Sequence, residues 1–543
     1  MEFKFNRFKL NIELMALVGL LMTLNIVSAQ TLTADQIFSI NRVLDVQITV
    51  NLEDWATICS QGRDFNTISD PKRKDSPLEN PFTYVEAEVT IDGVILPRVG
   101  IRKKGFLGSL SRTRPSLKVK LNYLNQKGEI DGITNLTFNN NQQDNSLMSQ
   151  FMSYTLFNAV GLPAPRCAYA QVAVNGQNLG IYSHVERVHK PFLKRAFGND
   201  NGALYEGTLI DFRPGWVNGF EHKLGSDEVG RQKIQQLIEV LEGEDKNIEE
   251  AIGQLVDLDS FYTFWVMEGL LGLWDGYSGN ENNFFFYLNP ETGKFHFIPW
   301  GADHGFSRFH GKRQYDEPPP ISVKTQGLIA YRLYQIEACR QRYERTLREI
   351  LTKHWQEDDL LAEIERLEAL LQPYTISDQK IVTQGKTFGK NKKRIKGKDF
   401  SQGEKLSKGK EFGANKDLAK GSRRSIGDFI RYRREEINNE ITNGMPIWMA
   451  PPKSLLAKGK KRSPSDGTDL KGKGKKGDRN ITQQQAEGWI NYFRTASEQQ
   501  VHQAIQSQKF QTLNSKVQRE ILNRAEELKL NLVAEKIKKF LEK

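Results

Sequence analysis

Apolar and polar residues alternate from the first ordered-looking stretch onward. In residues 41–56, Val46, Ile48, Val50 and Leu52 are spaced by two, which predicts a strand running into a short helix anchored by Trp55. Tyr84–Gly105 alternates again around Asp92-Gly93, a strong hairpin signal, and its second arm passes through Gly100 and Arg102 to Gly105 and Gly108. Pro115–Leu121 interleaves apolar residues with Lys118 and Lys120. The spacing turns helical over Leu147–Val160 and stops at Gly161, Pro163 and Pro165. Two more strands, Tyr169–Val174 and Gly180–Val185, flank a turn opening with Asn175-Gly176, and Leu204–Gly207 reads as another. Residues 229–271 read as mostly helical, and Phe261–Leu273 is apolar nearly all round, which predicts a buried helix. It leads into Trp274–Phe306, where an aromatic strand opens at Asn283, turns at Asn289–Gly293 and returns to Pro299-Trp300-Gly301-Ala302-Asp303. Amphipathic helices are predicted at 327–353 and 357–372, and positions 513, 517, 521, 525, 528 and 532 fall on one helix face.

Charge qualifies this globular pattern. The 543 residues carry a net charge of +11, and the length allows about three structural units. The excess sits in two tracts: Lys386–Lys420, with twelve Lys or Arg against four acids, and Pro452–Arg479. Neither has much to bury, so both are expected to be disordered. Such tracts suit anionic cell-envelope polymers or non-specific nucleic-acid contact, but without interleaved aromatics they do not suit base stacking or specific nucleic-acid recognition. At the N-terminus, Lys4, Arg7 and Lys9 precede an apolar core, Leu14–Val27, and the small residues Val27-Ser28-Ala29. This predicts a secretory signal cleaved after Ala29; a retained anchor is disfavoured by the short apolar run. No later segment is apolar enough to span a membrane. Cys59, Cys167 and Cys339 are too few and too scattered for a disulfide framework or a thiolate metal site.

The chemistry concentrates in the Trp274–Phe306 hairpin. Asp275, an Asn pair (Asn282, Asn283) and Asp303 at its ends suit a divalent cation and phosphates, since hard cations take oxygen ligands. An ordinary hairpin with polar ends is the competing reading. The order Asp, Asn, Asp, with Gly-Phe close behind, also echoes the metal and catalytic residues of protein kinases, in which Asn280 has the Asp-x-x-x-x-Asn spacing. A Gly-rich turn before a Lys-bearing strand can lay amides and ammonium groups on phosphate oxygens; Lys118 and Lys120 on the wet face of a strand would look the same. His304 and His310 near Asp303 suggest a metallohydrolase only weakly, because no tight His spacing accompanies them. A Walker A motif and a Gly-x-Ser-x-Gly elbow are both absent.

These residues resemble the CotH kinase family. Its hairpin pattern of Asp, Asn followed by aromatics and Tyr, Gly-Lys-aromatic, and Ile-Pro-Trp-Asp-x-Asp is matched by Asp275, Asn283–Tyr287, Gly293-Lys294-Phe295 and Ile298-Pro299-Trp300-Gly301-Ala302-Asp303. Gly301 stands where the family has its first Asp. Gly100, Arg102, Lys104, Gly105, Lys118 and Lys120 are similar to the family's glycine turn and Lys strand, although Phe106-Leu107-Gly108 replaces Asn-Ser-Ser. Glu186 falls in a block resembling the kinase hinge, and Arg342–Arg345 and Ile426–Ile441 resemble the closing helices. The resemblance implies an α+β, two-lobed, atypical protein-kinase-like fold with a β-rich N-terminal lobe and a helical C-terminal lobe. Together with the signal pattern, the basic tracts and the C-terminal helical spacing, it divides the chain into a signal (1–29), a kinase domain (30–380) interrupted by a basic insertion (381–424) and closed by 425–450, a basic linker (451–482) and a helical end (483–543). It implies a secreted Ser/Thr kinase using ATP with Mg²⁺ or Mn²⁺. Asp275 would be catalytic, with Asp303, Asn283 and then Asn280 at the metal. Arg102, Lys104, Gly105, Lys118 and Lys120 would lie at the phosphates and Glu186 at the nucleotide. The expected substrates are serines in basic low-complexity segments, including Ser422, Ser425, Ser463 and Ser465 of the chain itself. A catalytically silent coat or surface protein with the same fold is the alternative. The predicted helix Leu147–Val160 lacks a Glu to pair with a strand Lys.

Overall fold

The computed structural model describes residues 31–106, 108–244, 247–308, 318–385 and 426–452, together with most of 498–542 and a few positions from 486 to 493. The signal segment, both basic tracts, the four serines and His310 lie outside the described residues, as does most of the proline-rich loop 311–320.

The described chain is a mixed α+β structure whose N-terminal part is a closed barrel. Its seven strands are β1 (Val43–Val50), β2 (Val85–Ile91), β3 (Val94–Lys104), β4 (Ser116–Lys120), β5 (Asn135–Asn139), β6 (Cys167–Val174) and β7 (Gln177–Val185), in spatial order β1-β2-β3-β4-β5-β7-β6. Only the closing pair β1–β6 is parallel. The period-two residues fill the barrel: Val46 and Ile48 of β1 meet Val89, Ile101, Val119 and Phe138 there. Both sequence-predicted turns form. Asp92 and Gly93 take φ of 48° and 84°, and Asn175 and Gly176 take 49° and 77°, the left-handed pairs a two-residue hairpin needs.

Helix α1 (Ser149–Ala159) begins two residues later than the apolar pattern predicts, because the Asp144 carboxylate accepts the Ser149 amide at 2.7 Å and sets the start there. After it comes a second, four-stranded antiparallel sheet in the order β11-β10-β8-β9, with β8 Ala203–Gly207, β9 Glu221–Leu224, β10 Phe284–Asn289 and β11 Lys294–Pro299. All six residues of β10 are buried, since both its faces are covered. Phe284, Phe286 and Phe297 face helix α2 (Leu258–Leu270), with the Phe297 ring 5.0 Å from Phe261. Phe285 and Tyr287 pack on Phe192 and Leu193.

The predicted helix at 327–353 divides at Ile336 into Leu328–Tyr334 and α3 (Glu337–Lys353), and the next, α4 (Glu357–Gly385), runs past its expected end at 372. Helix α5 (Ile426–Glu440) closes the large core, and its buried Arg433 donates to the carbonyls of Leu270 at 2.9 Å, Gly269 at 2.6 Å and Ile321 at 2.7 Å. It thereby caps the end of α2, where backbone carbonyls lack intrahelical donors. The C-terminal residues form their own core, but as separate helices (Ser515–Glu527, Asn531–Leu541). Lys529, at φ 56°, breaks the expected single face, leaving Leu528 and Leu532 exposed. The three cysteines are unpaired, with Cys167 and Cys339 buried.

Candidate functional site

Asp275 follows α2 by five residues, on a connection fixed from below. The buried Glu268 carboxylate, in the last turn of α2, accepts the amides of Tyr277 (2.8 Å) and Ser278 (2.7 Å) and the Ser278 hydroxyl (2.5 Å). Burial pushes this carboxyl up to about 7, against the pull of those hydrogen bonds. The short helical turn Tyr277–Asn280 then brings the asparagines back around Asp275. Asn280 and Asn282 donate their side-chain amides to Asp275 Oδ1 at 2.7 and 3.1 Å, and Asn283 donates to Oδ2 at 3.0 Å and to the Asp275 carbonyl at 3.0 Å. Both carboxylate oxygens are thus held by neutral donors, a charge-assisted arrangement that fixes their direction. Asn283 and Glu281 sit at φ of 53° and 55°. Left-handed backbone at non-glycine residues is found where surrounding contacts impose it, often at functional sites.

Facing Asp275 across a cleft of about 520 Å³ is the outward face of barrel strands β3 and β4. Arg102, Lys104, Gly105 and Lys118 line it, joined by Arg63, Arg187 and Lys223, which sequence reasoning did not single out. Lys104 donates to Asn139 Oδ1 at 2.5 Å, and Asn139 donates to Gln150 of α1 at 2.8 Å. An amide relay therefore joins strand Lys to helix where no acid exists to form an ion pair. Desolvation holds the Lys104 amine down to about 8, with Asp303 opposing. Lys118 is pushed down further, to about 6, by desolvation and then by Arg187, Arg102 and Lys223, with Glu206 pulling the other way. Lys223 bonds Glu206 and Glu221 at 2.5 Å each.

Asp303 lies half-buried in the turn Ala302–His304 and lines the same cleft. Desolvation raises its carboxyl above the usual range, with Asp275 and Asp144 adding to the shift and His304 opposing it. Gly301, beside it, has φ 57°, and a Cβ placed there would sit 2.6 Å from Asn283 Cγ. Position 301 and the Asn283 side chain therefore compete for one space.

Asp275, Asn280, Asn283, Asp303, Arg102, Lys104, Gly105 and Lys118 all line the cleft. Two other expected site residues do not. Lys120 lies two residues along β4 from Lys118, outside the lining. Glu186 is 3% exposed, its carboxylate accepting from Arg166 at 3.0 Å and Arg195 at 2.7 Å. It is a buried structural ion cluster rather than a ligand contact; the neighbouring Arg187 and Val188 line the cleft instead. Arg187 and Lys223 carry no motif, so only the fold could reveal them. Among the described residues no group of three or more His, Cys, Asp or Glu converges as a metal cage, so His304 and Asp303 do not form a metallohydrolase centre of that kind.

A family model described as CotH kinase protein matches residues 101–437. The inner spore coat protein H of Bacillus subtilis (strain 168) is 26% identical over 267 residues, covering 46% of this chain and 72% of that protein. An inner spore coat protein H-like protein of the same organism is 24% identical over 254 residues, covering 44% and 66% respectively.

Proposed function

The chain belongs to the CotH kinase protein family, and on that premise we propose that it is an atypical Ser/Thr protein kinase. In this reading the barrel serves as the N-terminal lobe and the helical part as the C-terminal lobe, with ATP between them. The observation that carries it is the meeting, in one cleft, of the amide-held Asp275 and Asp303 with the cationic barrel wall. A triphosphate needs that wall, and phosphoryl transfer is chiefly positioning and electrostatic stabilisation.

The donor set fits a Mg²⁺ or Mn²⁺ ion that arrives with the nucleotide. Such an ion needs only one or two carboxylates because phosphates fill its shell, and Asp303 with the Asn283 oxygen supplies that much. When bound, the ion would neutralise charge on the phosphate oxygens. Asn280, whose amide donates to Asp275, serves better to orient that carboxylate. Asp275 would take the proton of an incoming Ser or Thr hydroxyl as its oxygen bonds the γ-phosphorus and the bond to ADP breaks. Lys104, Lys118 and Arg102 would hold the phosphate chain.

The substrates we propose are serines in basic low-complexity segments, including those of the chain itself. Secretion is proposed from the N-terminal signal pattern and the spore-coat names of the relatives. No helix among the described residues is long and apolar enough to cross a membrane.

A second reading, a catalytically silent coat or surface protein, is favoured by Gly301, which removes one of the family's two acids from the metal side. Phosphate transfer separates the two. Residues from Gln30 onward, incubated with γ-labelled ATP, Mg²⁺ or Mn²⁺ and a basic Ser-rich peptide, are expected to label the peptide. Asp275→Ala and Asp303→Ala are expected not to. Absence of label from all three would favour the silent protein.

A further inference from the structure

We propose that Asn282 is a positioning residue, tying the Asp275 carboxylate to the loop after β8 so that catalytic acid and cleft wall move as one piece. Besides bonding Asp275, the Asn282 amide also grips a different element. Its Nδ2 donates to Asp275 Oδ1 at 3.1 Å while its Oδ1 accepts the Leu209 amide at 3.1 Å. The residue is 4% exposed although it lines the cleft, so both bonds are largely shielded from water.

The loop it grips is itself constrained. Leu209 has φ 49°, a conformation unfavourable for a bulky L-residue and kept only where its surroundings impose it. Buried Arg73 imposes it from the far side, donating to the Thr208 carbonyl at 2.7 Å and the Leu209 carbonyl at 3.4 Å. The next amide, Ile210, donates to the Glu281 carbonyl at 2.8 Å. Thr208 and Leu209 line the cleft together with Asp275. A continuous chain of bonds therefore runs from Arg73 through Leu209 and Asn282 to Asp275, and each polar end of Asn282 has one task in it.

This deepens the phosphotransfer reading and rests on it for its kinetic arm. Asn282→Asp is the informative change: it keeps an acceptor for the Leu209 amide but replaces the neutral donor to Asp275 with a second carboxyl that repels it. In labelled-ATP assays N282D is expected to fold, to lose about tenfold in kcat and to keep KM for ATP within about twofold, the pattern of an interaction that matters to the reacting group rather than to nucleotide binding. Wild-type kcat in N282D would overturn the proposal; N282A takes its place if N282D does not fold. A second arm needs no activity. Thermal midpoints of wild type, N282A, D275A and the double variant form a cycle. If the wild type transfers no phosphate, the kinase reading fails and this cycle alone decides: non-additive shifts support the tie, and additive shifts overturn it.

Discussion

Lys118 gives the sharpest quantitative expectation. Its amine lies on the barrel wall with Arg187, Arg102 and Lys223 nearby and Glu206 as the opposing charge, and desolvation leads in holding it down to about 6. Neither Lys118 nor Arg187 has a hydrogen-bond or ion-pair partner among the described residues. At pH 7.5 an amine of that pKa is only ~3% protonated, and placing a polyphosphate beside it favours the charged form. Nucleotide binding should therefore take up about one proton at Lys118. Lys104, held down to about 8, should add roughly a quarter of a proton by the same reasoning. The sign follows from linkage: above about pH 6, affinity falls as pH rises, by up to about tenfold per unit, and below it the dependence on Lys118 vanishes. Calorimetry with a non-hydrolysable ATP analogue in two buffers of different ionisation enthalpy reads the uptake directly. Wild type should take up about 1.2 protons and Lys118→Met about 0.25. Equal uptake by both proteins, or none by the wild type, would refute the assignment of Lys118 to the phosphates.

Other outcomes follow from the same geometry. Lys118→Met should also raise the melting temperature, and by more at pH 6 than at pH 9, because the wild-type fold disfavours the ammonium and that penalty is complete below about 6. Gly301→Asp, which restores the family's acid, should lower the melting temperature and leave phosphate transfer no faster: the left-handed backbone costs an Asp about 1 kcal/mol, and the new Cβ would displace Asn283. Glu186→Ala, which leaves Arg166 with the exposed Asp35 and Arg195 with the Ala164 carbonyl, should cost about 1–3 kcal/mol in urea unfolding, while KM for ATP in the folded protein stays at the wild-type value.

The strands were legible because burial on one face leaves a period-two trace. The turns were legible because Asp92-Gly93 and Asn175-Gly176 are suited to left-handed pairs. Asp275, Asn283 and Asp303 stood out as a spaced motif, and the cleft does gather them. What the sequence hid has two physical origins. Glu186 and Lys120 sit one or two residues from cleft-lining positions: Glu186 turns inward to its arginines, while Lys120 shares the face of Lys118 but lies further along β4, past the cleft's edge. Arg63, Arg187 and Lys223 come from separate segments brought together by barrel closure and by the second sheet, so no local pattern marks them. Asn282 was visible as a neighbour of Asn283, but its double bonding to Asp275 and Leu209 depends on a loop some seventy residues earlier.

The Arg433 clamp has a consequence for the timing of biosynthesis. The guanidinium that seals the end of α2 lies 163 residues downstream of the Leu270 carbonyl it grips, beyond the whole basic insertion. As the chain emerges N-terminus first, Asp275 and its asparagines are made long before the residue that fastens their support. The clamp on α2 is supplied by nearly the last residues matched to the family, which end at 437. A growing or truncated chain thus presents the cationic barrel wall before the end of the helix that leads to Asp275 is clamped.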